Sequence, residues 1–509
     1  MPDGGTHALP SLGAEVEMPV IDAQGDTGFV DDRYFAALQR LRGEDACAHT
    51  LGGRMVALSS PLGVNGIDNG WNLLETALAP VAAGHGGLAM LQRRMRDDIA
   101  SVSAALQAQG LRLTSLAQHP TAGCGAQLYR RAVAPKPVYA YLTARRGWTH
   151  AAGIDAKAQN GPTTGTTPES AVQALNLLLT AAPVFIALFA NSPFENGRRS
   201  GLMETRMTLW PRMVTSSRFP ADRARVGLPP RRFASMGDYF AWTFARGTVM
   251  QAIPSGIGDY KGATALFEPG DGRMNARTFF AGGPVIGRSV QTGEPATITP
   301  SAAHFAFLQW SNFLDFRLRF DFFHPGPGVA ELAAAFTEPS RFLPLFRDHA
   351  SNLYIENRCA GASFADADLI DRAPRAAQAS CMIAPLALQA GLVAAAPAHG
   401  GEFCARWPLA RIARLRAEAI RNALSPASGS QAAHALRVLC REVLGLARNH
   451  LPEADRDHLA YADWVLETGL TGAQRALEHR DRLGRLAFGA AGLRRLARAR
   501  EALPPPLPS

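Results

Sequence analysis

Alternating polar and apolar residues predict short β-strands in four parts of the chain. The clearest alternation starts at Gly13 in GAEVEMPVID, and METRMTLW at 203–210 alternates again. LRLTSLAQHPT at 111–121 and NLYIENRCAG at 352–361 are the other two predicted strands. Successive side chains of a strand point to opposite faces, so residues two apart share one face.

Apolar residues spaced by three and four predict helices between these strands. They cover 32–48, 86–110 and 170–189, and the chain is almost entirely helical from 408 to 502. Strands separated by helices, without a regular βαβ rhythm, favour a mostly antiparallel sheet. The predicted fold class is therefore α+β.

The longest apolar stretch, at 175–190, contains Asn176, Thr180 and Pro183. It falls short of the ~20 residues that a membrane-spanning helix needs. We interpret it as a buried core helix and predict no membrane partner. The first ten residues lack the basic start and apolar core of a signal peptide. Six cysteines without a CxxC pair argue against a zinc site and a disulfide framework, and they predict a reducing cytoplasm.

The chain is basic, with 52 Lys and Arg against 43 Asp and Glu and a net charge of +9. Almost all of the basic residues are arginines, and the lysines are Lys136, Lys157 and Lys261. No Lys/Arg run interleaved with aromatic residues is present, which argues against a nucleic-acid partner. The charge is compatible with small anionic substrates.

Two pairs of carboxylates have spacings that could hold a cation. Glu15 and Glu17 lie two apart on a predicted strand, so they share one face and repel each other unless a cation lies between them. A solvated strand surface is the alternative. Asp68 and Glu75 lie seven apart, close to two helical turns, and Glu75 stands in the apolar segment LLETAL. The alternative for Glu75 is a buried ion pair with an arginine.

Two arginines stand beside carboxylates. Glu356 and Arg358 share a face of the predicted strand at 352–361, where the acid could ligate a metal while the arginine binds phosphate. The alternative is a cross-strand salt bridge. Arg206, two residues from Glu204, is a candidate to bind a carboxylate or a phosphate, although a single arginine on a strand is usually structural.

Together these segments resemble the glutamate–cysteine ligase family. GAEVE at 13–17 matches the Gly-x-Glu-x-Glu strand of the family, and Asp68 followed by LLE at 73–75 is similar to its bacterial branch. ALFANSPF at 187–194 is similar to the plant-type branch, and YIENR at 354–358 is similar to both.

The resemblance implies a curved, mostly antiparallel sheet of glutamine-synthetase-like type flanked by helices. It also implies the cofactors ATP and Mg²⁺, and an acyl phosphate formed on the glutamate side chain that the amine of cysteine then attacks. Arg358 and Arg206 would face the transferring phosphate and the glutamate. The implied metal ligands are Glu15, Glu17, Glu75 and Glu356, with Asp68 in support.

The resemblance covers about residues 13–400, and together with composition and periodicity it predicts four parts of the chain. A disordered N-terminus at 1–12 precedes a catalytic carboxylate–amine ligase domain at 13–407. A helical C-terminal region at 408–502 and a Pro-rich tail at 503–509 follow.

The chain also departs from the family pattern. LGGRMVALS at 51–59 lacks the acid that plant-type relatives carry there, so Glu75 is expected to take its place. The strand at 160–167, NGPTTGTT, lacks the usual Gln, His or Asn donors. Three hypotheses result: γ-glutamylcysteine formation, the same chemistry with another amine, or a scaffold that kept the fold and lost the chemistry.

Overall fold

The structure is a computed structural model, and it describes residues 11–84, 86–121, 125–153, 157–245, 252–254, 265–484 and 489–507. The first strand begins at Ser11, so the disorder predicted for 1–12 lies, up to residue 10, outside the described residues. The last two residues of the predicted Pro-rich tail also lie outside them.

Strands and helices are numbered in chain order. The strands are β1 Ser11–Ile21, β2 Cys47–Leu51, β3 Arg54–Ser60, β4 Gly63–Ile67, β5 Leu73–Leu78, β6 Val81–Ala82, β7 Arg112–Leu113, β8 Asn160–Gly165, β9 Phe194–Glu195, β10 Arg198–Arg199, β11 Val226–Gly227, β12 Ile253–Pro254, β13 Leu266–Pro269, β14 Val285–Ser289, β15 Pro295–Ile298, β16 Phe313–Leu314, β17 Phe316–Phe322 and β18 Ala350–Asn357. The helices are α1 Asp32–Arg42, α2 Gly87–Gln107, α3 Ala126–Ala132, α4 Pro137–Ala144, α5 Ala171–Leu188, α6 Leu209–Val214, α7 Pro220–Ala224, α8 Met236–Phe244, α9 Ala276–Ala281, α10 Ala302–Phe307, α11 Val329–Thr337, α12 Phe342–His349, α13 Ala367–Arg372, α14 Arg375–Ser380, α15 Ala384–Arg406, α16 Leu409–Asn422, α17 Gln431–His450, α18 Ala460–Thr468, α19 Gly472–Arg482 and α20 Ala490–Ala499.

A ten-stranded sheet forms the centre of the molecule. Its order is β17-β18-β8-β1-β5-β4-β3-β2, with β6 and β7 also paired to β1, and every one of these pairs is antiparallel. The predicted α+β fold is therefore confirmed, and so is the helical C-terminal region. A separate four-stranded sheet, β12-β13-β14-β15, lies outside the central one.

The strand β1 runs through the middle of the sheet because its apolar residues alternate with its acids. Val16, Met18 and Val20 are fully buried in the hydrophobic core, as the alternation of GAEVEMPVID requires. Glu15 and Glu17 consequently point to the opposite face. The alternation thus predicts both the strand and the direction of its two acids.

The helices α5 and α15 pack against each other and against the sheet. In the described part of the chain, α5 is the one helix long and apolar enough to cross a membrane, but 89% of it is buried inside the protein. This burial is typical of a core helix, which is what the sequence predicts for this segment. Gln389 of α15 donates a hydrogen bond to the main-chain oxygen of Ile355 in β18, at 2.9 Å, and so ties this helix to the sheet.

Two expectations from the sequence are wrong. The spacing of Asp68 and Glu75 is compatible with two helical turns, but Leu73–Leu78 is the strand β5, because its backbone pairs on both edges with β1 and β4. The segment 203–210 is not a strand but a 3-10 turn, Thr205–Thr208, followed by α6.

Two other predicted elements are shorter than expected. The helix predicted over 32–48 ends at Arg42, because Gly43 adopts φ = 85° and the chain turns into β2. The strand predicted over 111–121 is reduced to β7.

Candidate functional site

The acids of β1 and β5 meet on one face of the sheet. Glu17 lies opposite Glu75 in the antiparallel pair, Glu75 lies opposite Gly66 of β4, and Gly66 lies opposite Ala57 of β3. Directly opposite residues of an antiparallel pair project to the same face. Ala57, where relatives are expected to carry an acid, therefore lies two strands from Glu75 in the same row.

Charged residues of β17 and β18 occupy the same face on the other side of β1. Glu15 pairs with Gly161 of β8, and Thr163, two residues on, pairs with Glu356. Glu356 in turn lies opposite Arg317 of β17. The sheet thus carries acids near its centre and a cluster of arginines along β17 and β18.

A cavity of about 690 Å³ lies on this face. A volume of this size falls within the usual range for small-molecule sites. Every predicted site residue except Arg206 lines it. These residues are Glu15, Glu17, Asp68, Glu75, Glu356 and Arg358.

Three carboxylates converge in this cavity. Glu17, Asp68 and Glu75 each offer an oxygen, and these atoms lie within 4.8 Å of one another. Glu17 is 2% exposed and Asp68 is 4% exposed. Burial raises the pKa of Glu17 to about 7; Lys157 opposes this shift, while the charges of Asp68 and Glu75 add to it. The cluster therefore favours bound positive charge.

Lys157 supplies part of that charge. Its ammonium donates to both carboxylate oxygens of Glu17 at 2.9 Å and lies 3.4 Å from Oδ2 of Asp68. The side chain is buried and lines the cavity. The site prediction missed this residue, although it is one of only three lysines in a chain rich in arginine.

Glu356 lies among three arginines. Arg317 makes two hydrogen bonds to it, at 3.0 and 2.9 Å, Arg358 makes one at 2.9 Å, and Nε of Arg319 lies 3.6 Å away. Burial alone would raise the pKa of Glu356, but the three guanidinium groups hold it far below its usual range. The arrangement is the cross-strand ion pair that was the alternative to metal binding, and the ligand role of Glu356 stays a prediction.

Arg317 and Arg319 were also missed by the site prediction. Both line the cavity, and both belong to the alternating segment FRLRF of β17. Their spacing of two on a strand places them on one face, as it does for Glu15 and Glu17. The same reasoning applied to residues 316–320 would have found them.

Arg206 is fully buried behind the cavity wall. Its guanidinium donates to Glu204 at 3.0 Å and to the main-chain oxygens of Arg358 at 3.0 Å and Cys359 at 2.8 Å. Its Nη1 also lies 3.3 Å from the side-chain oxygen of Gln159, which lines the cavity. This position suits a residue that supports the Arg358 backbone better than one that contacts a substrate.

Aromatic side chains form another wall of the cavity. They are Tyr139, Trp148, Trp210, Trp310 and Phe313. His150 lies beside Tyr139 and Trp148 with ring centroids 5.5 and 6.3 Å apart. Burial lowers the pKa of His150 to about 4, so its ring is neutral at pH 7.

The side chains present fit both magnesium and a phosphorylated ligand. Mg²⁺ prefers oxygen ligands, and the convergent carboxylates of Glu17, Asp68 and Glu75 supply them. Guanidinium groups match phosphate oxygens through paired hydrogen bonds, and Arg317, Arg319 and Arg358 face the same cavity. The arrangement can hold a polyanion between metal-binding acids and arginines.

The sequence of residues 11–251 matches the family model described as glutamate-cysteine ligase family 2. The predicted resemblance to the glutamate–cysteine ligase family is confirmed. The matched region is a little under half of the chain, and it contains the three convergent carboxylates and Lys157. Glu356 and Arg358 lie beyond it.

A solved structure resembles the chain in fold at low sequence identity. A glutamate–cysteine ligase from Francisella tularensis in complex with AMP superposes with a TM-score of 0.50 at 10% identity, covering 97% of this chain and 89% of that one. A bifunctional glutathione synthetase from Pasteurella multocida gives a TM-score of 0.45 at 12% identity; 97% of this chain matches only 51% of that protein. No functionally curated protein matches the chain in sequence.

Proposed function

We propose that this chain is an ATP- and Mg²⁺-dependent ligase that activates the side-chain carboxylate of glutamate and joins it to the amine of cysteine. The observation that carries the proposal is the arrangement of the cavity. Convergent carboxylates on β1 and β5 face the arginines of β17 and β18 across one surface of the sheet. The family match supports the same class of reaction.

The activation step transfers the γ-phosphoryl group of ATP to a glutamate oxygen and forms an acyl phosphate. Magnesium held by the carboxylates that line the cavity would neutralise charge on the phosphate oxygens. Arg358 donates hydrogen bonds to the transferring phosphoryl group from the other side. Positioning and charge stabilisation supply most of the rate in such reactions, so a nucleophilic side chain is not required.

Glu356 has a positioning role in this proposal. Its two oxygens hold the guanidinium groups of Arg317 and Arg358 in fixed directions. A rigid pair of donors stabilises developing charge without reorganisation at the moment of reaction. Arg206 supports the same wall from behind through the main chain of Arg358.

The geometry weakens the alternative that the chain is a scaffold that kept the fold and lost the chemistry. This alternative depended on the acid missing at Ala57, yet Glu75 lies in the same row of the sheet and lines the cavity. A carboxylate is therefore present on this face, as the resemblance predicts.

A second candidate function keeps the activated glutamate and changes the amine. The aromatic side chains that line the cavity favour it, because aromatic rings are typical of sites that accept an apolar or aromatic group. Both candidates share the same first step, so they differ only in the acceptor.

Phosphate release from ATP with Mg²⁺, glutamate and a panel of amines distinguishes the two candidates. With cysteine as the acceptor we expect phosphate release at least tenfold faster than with any other amine, together with the mass of γ-glutamylcysteine. Faster turnover with a larger or aromatic amine would favour the second candidate. Glu75→Gln should abolish the activity, while the matched surface change Glu44→Gln should not. Absence of turnover with every amine would contradict both.

The proposal places the reaction in the cytoplasm, with small molecules as the only substrates and no nucleic-acid or membrane partner. The described cysteines are free thiols, and all but Cys47 are buried. Free thiols of this kind suit a reducing compartment.

A further inference from the structure

Lys157 stands where a cation would be expected. Its ammonium lies among the oxygens of Glu17 and Asp68, two of the three acids whose ligand atoms converge within 4.8 Å. An ammonium group carries a compact positive charge with three donors, so it can satisfy several carboxylate oxygens as a small metal ion does.

The surroundings hold Lys157 in this position. The side chain is 2% exposed, and its ammonium lies 5.5 Å from the ring centroid of Trp210. The guanidinium of Arg358 lies over the same ring at 4.7 Å. Leaving the cluster would separate the buried Glu17 carboxylate from its ion-pair partner, which is strongly unfavourable.

The choice of lysine is also informative. The chain has 52 Lys and Arg residues, of which three are lysines, and two of those, Lys136 and Lys157, line this cavity. A planar guanidinium would direct its donors as a fork, whereas an ammonium fits a confined position between converging oxygens.

We propose that Lys157 is a fixed internal cation that takes the place of a divalent ion on the Glu17–Asp68 side of the cluster. Divalent metal then binds toward Glu75 and Glu15, and the site holds one ion fewer than the same carboxylates would hold without the lysine. A divalent ion on the Glu17 oxygens would lie only a few ångströms from the ammonium of Lys157, so repulsion between the two positive charges disfavours metal binding there. The meaning of this inference for catalysis rests on the proposed function.

Counting bound Mn²⁺ by electron paramagnetic resonance tests the inference. The full chain is titrated with Mn²⁺ alone, without nucleotide or substrate. We expect Lys157→Met to bind one more Mn²⁺ per chain than the unchanged protein, or to bind Mn²⁺ at least tenfold more tightly. The double variant Lys157→Met with Glu17→Gln should lose this gain. Lys157→Gln, which keeps a hydrogen-bond donor, replaces the methionine variant if that variant does not fold.

Lys136→Met is the matched control, because it removes the same charge from the same cavity. The ammonium of Lys136 donates to the main-chain oxygens of Ile67 and Asp68. We expect no additional Mn²⁺ in this variant. An equal gain in both variants would overturn the inference, and so would a Lys157→Met variant with both an unchanged Mn²⁺ count and an unchanged Mn²⁺ affinity. Because the count needs no turnover, a failed amine panel would contradict the proposed function without changing this result.

Discussion

Replacing Arg358 by methionine should slow amine-dependent phosphate release by about a thousandfold while the protein remains folded. Arg358 is 8% exposed, lines the cavity and is held by Glu356 at 2.9 Å. Removing one donor to developing charge typically costs 10²–10³-fold in rate, and removing an arginine on a transferring phosphoryl group costs more. Glu356 keeps Arg317 as a partner in the variant, so it is not left as an unpaired buried charge.

The controls separate a catalytic effect from a general loss of charge. Arg40→Met changes an exposed arginine of α1 and should leave the rate within twofold. Arg358→Lys should recover only part of the rate, because an ammonium keeps the charge but not the paired donors. Phosphate release measured at saturating ATP and glutamate gives the comparison. A loss of less than tenfold in Arg358→Met would contradict the role of Arg358.

Replacing Asp366 by asparagine should lower the free energy of unfolding by about 3 kcal/mol, the cost of breaking a buried ion pair. Asp366 is fully buried and lies 3.1 Å from Arg475 of α19 and 3.0 Å from Arg500, just after α20. It also accepts from the Ser115 hydroxyl at 2.6 Å. Burial would raise the pKa of Asp366, but Arg500 and Arg475 lower it below its usual value. In the variant, less negative charge lies next to the two buried guanidinium groups to compensate their positive charge.

Urea denaturation measures this loss as a lower midpoint with an unchanged slope. Asp97→Asn, an exposed change on α2, is the matched control and should shift the free energy of unfolding by less than about 0.5 kcal/mol. A loss below about 1 kcal/mol in Asp366→Asn would mean that the ion pairs of Asp366 with Arg475 and Arg500 contribute little to the stability of the fold.

The parts of the site that could be predicted are those encoded locally. The two-residue spacing of Glu15 and Glu17 in an alternating strand determines that both face the same side, and the structure has them there. YIEN in β18 follows the same logic for Glu356. Neither prediction depends on the position of any other segment of the chain.

The partners of these acids could not be predicted in the same way. Lys157 contacts Glu17, which is 140 residues away in the sequence, and Arg317 contacts Glu356, which is 39 residues away. Such contacts depend on the strand order β17-β18-β8-β1, which local patterns do not encode. Only the rarity of lysine and the alternation of FRLRF could have drawn attention to them.

Asp68 and Glu75 were brought together correctly but for the wrong structural reason. A spacing of seven suggested two turns of a helix, whereas β4 ends at Ile67 and Glu75 lies on the next strand. The chain reverses between them, so the two carboxylates meet across a connection. For Arg206 the local pattern predicted the wrong element. METRMTLW alternates as a strand would, but hydrogen bonds to Glu204 and Ser192 stabilise a turn there.

The most direct test of the central claim follows an oxygen atom from glutamate to phosphate. Glutamate labelled with ¹⁸O in its side-chain carboxylate is incubated with the protein, ATP, Mg²⁺ and the amine that supports turnover, and the released phosphate is analysed by mass spectrometry. An acyl phosphate requires that a carboxylate oxygen attack the γ-phosphorus and leave with it when the amine forms the new bond. We expect one ¹⁸O atom in each phosphate released per product formed. Phosphate without ¹⁸O, released in step with product, would contradict activation of the glutamate carboxylate by this protein.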